Sequence, residues 1–291
     1  MMSYPILMLL TLSAIGHAIW NTISRRIEER DLFFTLIVLT SLILYFPLAC
    51  YYMFVSSFPK EAIGWALGSM VCEIGYFITL AKAYKEASLL SVYPVSRGMS
   101  PVLSVVFSFI ITRQLITLTG LIGVCCIALG ILFINLTKFT KADMRSVFMN
   151  QGTMWAIATG AFTAAYSVFD SMGASLMFPI LFKYVVYIGI FIGKLLIDRK
   201  LVPGITYQSY VTLFKRHPVA TLLGGFLVFG VNALVVYSMQ STAVAYVSAV
   251  REMSIIFVTV IGVIWLKEKV NIIKILSICV IVLGIVLIKV G

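Results

Sequence analysis

The chain alternates long apolar runs with short polar connections. Ten runs, residues 4–24, 32–55, 62–82, 89–111, 118–136, 151–173, 178–197, 218–240, 245–266 and 272–290, are long enough to cross a bilayer. Roughly 20 apolar residues carry a helix across about 30 Å of hydrocarbon. A backbone in lipid must satisfy its own polar groups, so each run predicts a helix. The longest connection, 198–217, reads as a loop, and none of the connections has room for a soluble domain. The first run has no basic stretch ahead of it and contains His17 and Asn21. It therefore predicts a first span, not a cleaved leader.

Composition agrees. Of 291 residues, 61% are hydrophobic and 11% charged, against roughly 25% charged in a soluble domain. The net charge of +11 would suggest nucleic acid in a soluble chain. Here the basic residues gather in loops and no nucleic-acid motif accompanies them, so membrane orientation and anionic headgroups explain them better. Fifteen fall on one side: Arg25, Arg26, Arg30, Lys82, Lys85, Lys138, Lys141, Arg145, Arg199, Lys200, Lys215, Arg216, Lys267, Lys269 and Lys274. Three, Lys60, Arg113 and Lys289, fall on the other. This asymmetry predicts that 137–150 and 198–217 are cytoplasmic and both termini outside. The five cysteines, Cys50, Cys72, Cys125, Cys126 and Cys279, lie within spans at spacings that match no zinc site or disulfide framework, and read as buried packing. No metal site is expected.

Residues 81–137 align on 235–291 without a gap. Arg97 falls on Arg251, Met99 on Met253, Ser100 on Ser254, Cys125 on Cys279 and Gly130 on Gly284. Between 97 and 134, 11 of 38 positions are identical. A weaker match sets Trp20–Asn21 on Tyr166–Ser167. The expected fold is an all-α polytopic membrane protein of ten transmembrane helices, arranged as two five-helix repeats over 1–136 and 151–291 with a linker at 137–150. Five crossings is an odd number, so the second repeat is inverted, an arrangement that recurs in transporters.

Several segments resemble the EamA-type families of the drug/metabolite transporter superfamily. They are HAIWN at 17–21, YPVSRGMSP at 93–101, VREMSIIFVTVIGVIWLKEKV at 250–270, and the closing IALGILFI at 127–134 and IVLGIVLI at 281–288. The resemblance covers nearly the whole chain. It implies a transporter of amino acids, other small metabolites, drugs or nucleotide sugars. It also implies that spans 1–4 and 6–9 line a central cavity, with spans 5 and 10 peripheral. Many members are thought to keep both termini in the cytoplasm, opposite to the charge count.

Two arginines inside apolar runs point to the site. A guanidinium at mid-bilayer costs about 2.5–3.5 kcal/mol on translocon scales, so such residues usually face a watery path. Arg97 is expected to contact substrate or to pair with Glu73 or Glu252. Pro94 and Pro101 bracket it and predict a break in span 4. Tyr93 and Ser100 share its helical face. Arg251 and Glu252 are adjacent and should point about 100° apart, so they are not expected to neutralise each other. Trp20, Asn21, Tyr76 and Asn232 complete the candidate substrate contacts. His17, Glu73, Glu252, Asp170 and Lys183 are candidates for coupling or gating, with an Asp170–Lys183 ion pair as the lead. Each also has a plain packing reading. Glycines at Gly64/Gly68 and Gly189/Gly193 suggest close helix packing.

These residues favour a secondary transporter, exporter or exchanger, of a small anionic or zwitterionic metabolite such as a carboxylate, amino acid, phosphate or phosphonate. A flippase of a lipid-linked phosphate or headgroup is the alternative. No HExxH motif or nucleophile–base constellation supports an enzyme, and no GxxxxGK[ST] loop supports ATP coupling. No cofactor is expected, and energy would come from a proton gradient or from exchange. The expected setting is a bacterial inner membrane, as monomer or homodimer.

Overall fold

A computed structural model describes residues 2–24, 27–87, 89–134, 136, 151–201, 204–266 and 271–291. The linker 137–150, Asn135 and the basic residues Arg25, Arg26, Lys138, Lys141, Arg145, Lys267 and Lys269 lie outside these residues. The described residues form twelve helices. They are α1 (Tyr4–Ser24), α2 (Arg30–Val55), α3 (Glu61–Glu86), α4 (Leu89–Thr112), α5 (Leu118–Phe133), α6 (Gln151–Leu176), α7 (Pro179–Leu201), α8 (Tyr207–Arg216), α9 (Pro218–Ser238), α10 (Val244–Arg251), α11 (Ser254–Leu266) and α12 (Ile272–Val290).

Among the described residues, eight segments are long and apolar enough to cross a membrane. The α5 segment is shorter, and α6 dilutes its hydropathy with Thr153, Thr159, Thr163, Ser167 and Asp170, all buried against neighbours. The exposed surface carries large apolar side chains along α2, α9 and α12, such as Phe46, Phe226 and Leu283. Lipid is the solvent for these faces, and the chain is an integral multi-pass membrane protein.

Helix packing follows a twofold exchange. α3 packs on α6, as α9 packs on α1. α4 packs on α6, as α10 and α11 pack on α1, and α2 meets α9, as α7 meets α3. α5 and α12 pack on each other. Their starts are alike: Thr117 caps α5 through the Gly120 amide at 3.0 Å, and Asn271 caps α12 through the Lys274 amide at 2.7 Å. The same offset of 154 residues that aligns the arginines relates these two caps. Both leave a side-chain oxygen to accept an otherwise unpaired helical N–H.

Where α5 and α12 cross, a β-carbon on Gly284 would sit 2.6 Å from the Gly123 carbonyl oxygen. One on Gly130 would sit 2.8 Å from the Ser277 carbonyl oxygen. Glycine is required because two backbones meet there. Of the glycines singled out from spacing, Gly68, Gly189 and Gly193 press on Phe169, Met70 and Ile74, but Gly64 faces open space.

Three expectations need correction. The connection 198–217 is not a plain loop: α7 runs on to Leu201, and α8 follows from a Thr206–Ser209 capping box. Span 4 is unbroken despite both prolines, whereas span 9 breaks between α10 and α11 at Glu252–Met253. Cys125 and Cys279 are exposed on the lipid face rather than buried, and the other three cysteines are half-buried.

Candidate functional site

A cavity of about 400 Å3 opens at the face that carries Arg30, Tyr84 and Lys194 and ends at Arg97 and Arg251. It is lined from α1, α2, α3, α4, α6, α7, α9 and α10, and by no residue of α5 or α12. Contacts tie the loops of this basic face together. Arg216 bonds Glu29 at 3.1 Å, Asn271 donates to the Leu136 carbonyl at 3.1 Å, and Lys82 lies over Trp155. Leu10, Val168, Val235, Val247 and Val250 are buried together in one apolar core and do not line the cavity. The site is thus a chamber open to one side.

Its closed end is a cluster of three charges. Arg97 Nη1 and Arg251 Nη2 reach the same Glu252 oxygen, Oε1, at 3.4 and 3.2 Å. The expectation that adjacent Arg251 and Glu252 could not pair is corrected here. Glu252 keeps right-handed helical torsions in the cap turn, so the offset between the two Cβ directions remains; the long Arg251 side chain reaches back across it to the Glu252 carboxylate. Arg251 is 4% exposed and Glu252 1%, whereas Arg97 is 22% exposed to the chamber and lies 5.5 Å from the Tyr93 ring centre. Arg251 Nε and Glu252 Oε2 are buried without a hydrogen-bond partner.

A second charged cluster lies across the chamber. Lys183 Nζ bonds Glu73 at 2.5 Å and Asp170 at 2.7 Å, and Ser69 Oγ donates to Asp170 at 2.6 Å. Lys183 and Asp170 are buried behind the wall, while Glu73 lines it at 13% exposure. The lead pair Asp170–Lys183 is therefore in contact, and Glu73 completes it. The ammonium also lies near the rings of Tyr166 and Tyr187.

The remaining candidates divide. Trp20, Asn21, Tyr76, Tyr93, Asn232 and His17 line the chamber. Trp20 Nε1 donates to His17 Nδ1 at 3.1 Å, which leaves His17 Nε2 buried and unpartnered. Asn21 donates to the His17 carbonyl, and Asn232 to the Val228 carbonyl and Tyr187 Oη. Ser100, Asp170, Lys183 and Glu252 do not line it. Ser100 is buried beside Gly160 on the far face of α4.

Sequence reasoning passed over several lining residues, Tyr187 and Lys194 among them, and placed Tyr166 only in the polar stripe of span 6 and as a match to Trp20. Lys194 pairs with buried Asp198 at 3.0 Å, and Asp198 also accepts from Tyr210 at 2.9 Å and from Thr35. A Lys and an Asp four apart in an apolar run is the signal that could have revealed that pair.

Fold and chamber together define a polytopic membrane protein with a charge-lined cavity at its centre. Residues 150–290 match the EamA-like transporter family. That match supports an EamA-type membrane transporter of the drug/metabolite transporter superfamily. A solved crystal structure superposes over 98% of this chain and 95% of its own with a TM-score of 0.70, at 14% identity, a likeness of fold alone. No curated protein matches the chain.

Proposed function

We propose that this transporter moves a small anionic or zwitterionic metabolite by alternating access, as an exporter or exchanger and not as an enzyme. The observation that carries this reading is Arg97. Its guanidinium holds a single bond, at 3.4 Å to Glu252, and is otherwise open to the chamber. A planar fork so placed suits a carboxylate, phosphate or phosphonate. The volume of about 400 Å3 is that of a small-metabolite site. Glu73 on the opposite wall gives an amine a place to sit.

The excess of basic residues puts the open face in the cytoplasm, so the described state is inward-open. Both termini are then outside, and the two halves rock about the chamber. Without an ATP-binding loop, the work comes from a proton gradient or from exchange. A bacterial inner membrane fits this arrangement.

A thermal-shift screen of the purified protein tests the reading, with amino acids, organic phosphates, phosphonates, dicarboxylates and cations as ligands, each repeated on Arg97→Ala. The expected result is stabilisation by an anionic or zwitterionic class that the variant loses. Stabilisation by cations alone, or unchanged in the variant, overturns it.

A further inference from the structure

The chamber's charges balance. Arg97, Arg251 and Lys183 carry three positive charges, and Glu73, Asp170 and Glu252 three negative ones. The balance is divided: the arginine cluster has one charge in excess, and the lysine cluster lacks one. At the mouth, Arg30 and Asp31 offset each other in the count, and Lys194 is matched by Asp198. Each cluster therefore leans on the other across the space that cargo would occupy. A low-dielectric interior makes any net charge costly.

From this we propose that the chamber accepts only charge-neutral cargo: an anion enters together with a proton carried on Glu73, and a zwitterion enters without one. The proposal rests on the reading of the chamber as an anion or zwitterion site. An anion on Arg97 discharges the arginine excess that keeps the second cluster ionised. One of the two carboxylates on Lys183 must then take a proton. A zwitterion instead sets its carboxylate at Arg97 and its ammonium at Glu73, and the sum is unchanged.

The geometry selects Glu73 as the proton carrier. Asp170 holds two donors, Ser69 and Lys183, behind the wall. Glu252 holds two arginines and is 1% exposed. Glu73 holds one donor, Lys183, and alone of the three reaches the cavity. On protonation it gives up one charge-assisted bond, and Lys183 keeps Asp170.

The other groups near Glu73 come from every element around it. Tyr76 and Cys72 share α3, Tyr166 and Asp170 come from α6, and Lys183, Tyr187 and Lys194 from α7. Tyr93 and Arg97 come from α4, His17 from α1, and Arg251 with Glu252 from the α10 cap. A second cation at His17 would face both arginines, so the proton goes to the carboxylate.

Removing an arginine charge imitates the anion, so the test needs no ligand. Infrared difference spectra of the full chain at neutral pH are compared for wild type, Arg97→Gln, Arg97→Lys and Arg97→Gln with Glu73→Gln. A protonated-carboxyl carbonyl band is expected in Arg97→Gln and absent from the other three. Arg251→Gln should give the same band and replaces Arg97→Gln should that variant not fold. No band in either glutamine variant, or a band that survives Glu73→Gln, overturns the proposal. These results do not depend on the ligand screen, so a failed screen with the band present would sink the transport reading alone.

Discussion

Arg97 and Arg251 occupy equivalent places in two aligned halves, yet the structure treats them differently. Arg97 sits in an uninterrupted α4 between two prolines and faces the chamber. Arg251 ends α10, is buried, and folds back on its own neighbour Glu252. Pro101 has no N–H to offer the Arg97 carbonyl one turn earlier, but α4 runs on through it. In the other half, with no proline near, the helix stops where a buried cation needs an anion. The lesson is that a missing backbone donor need not interrupt a helix, while the bonding can tighten from i→i+4 to i→i+3 with no proline near. One arginine faces the open chamber, and the other is buried against Glu252.

The largest effect that separates them should be on stability. Arg251→Ala breaks the more buried of the two pairs and leaves Glu252 only its 3.4 Å contact with Arg97; breaking a buried pair costs about 3–5 kcal/mol. Thermal unfolding in detergent should show that loss, and a loss less than half as large for Arg97→Ala. Equal losses would erase the distinction between the buried arginine and the open one.

Next in size is the effect on cargo. Arg97→Ala should weaken binding of whichever anion or zwitterion stabilises the wild type by about 100-fold, near 2.7 kcal/mol at 1.4 kcal/mol per decade. Arg97→Lys, which keeps charge but loses the fork, should recover only part of it. Unimpaired binding in Arg97→Ala would move the contact to Arg251.

A smaller effect tests whether the halves still share a frame. Gly123→Ala presses a methyl group on the Gly284 backbone, and overpacking of this kind costs about 1–3 kcal/mol. Gly284→Ala should cost a similar amount, as read by unfolding midpoints. Pro101→Ala should do least, restoring a donor to the Arg97 carbonyl and shifting stability by under about 1 kcal/mol. A large loss there would show that α4 relies on its proline after all.

Much of the fold was legible because lipid demands long apolar runs, and the runs marked nearly every crossing. The chamber was legible at most of the charges that interrupt such a run: Glu73, Arg97, Asp170, Lys183, Arg251 and Glu252 lie in or against it, and Lys194 was missed. Other features were hidden for physical reasons. The α10–α11 break carries no Gly or Pro, so no local residue marks it. The opposite error came from Pro94 and Pro101, whose local effect is absorbed by packing. Helix α8 was hidden by its polarity, although Tyr207, Tyr210, Val211 and Phe214 follow a helical stripe. Ser100 shares the Arg97 face only loosely, and three residues of drift turned it toward α6.

The close crossing of α5 and α12 has a mechanical consequence. The contact of Gly284 on Gly123 is carried by the repeat offset into the contact of Gly130 on Ser277, so the crossing straddles the axis that exchanges the halves. Points on a rotation axis stay still while the rest of the body turns. If the halves rock as proposed, α5 and α12, which line no part of the chamber, would be its fulcrum. Damage there would appear as a machine that grips its load normally and turns over slowly.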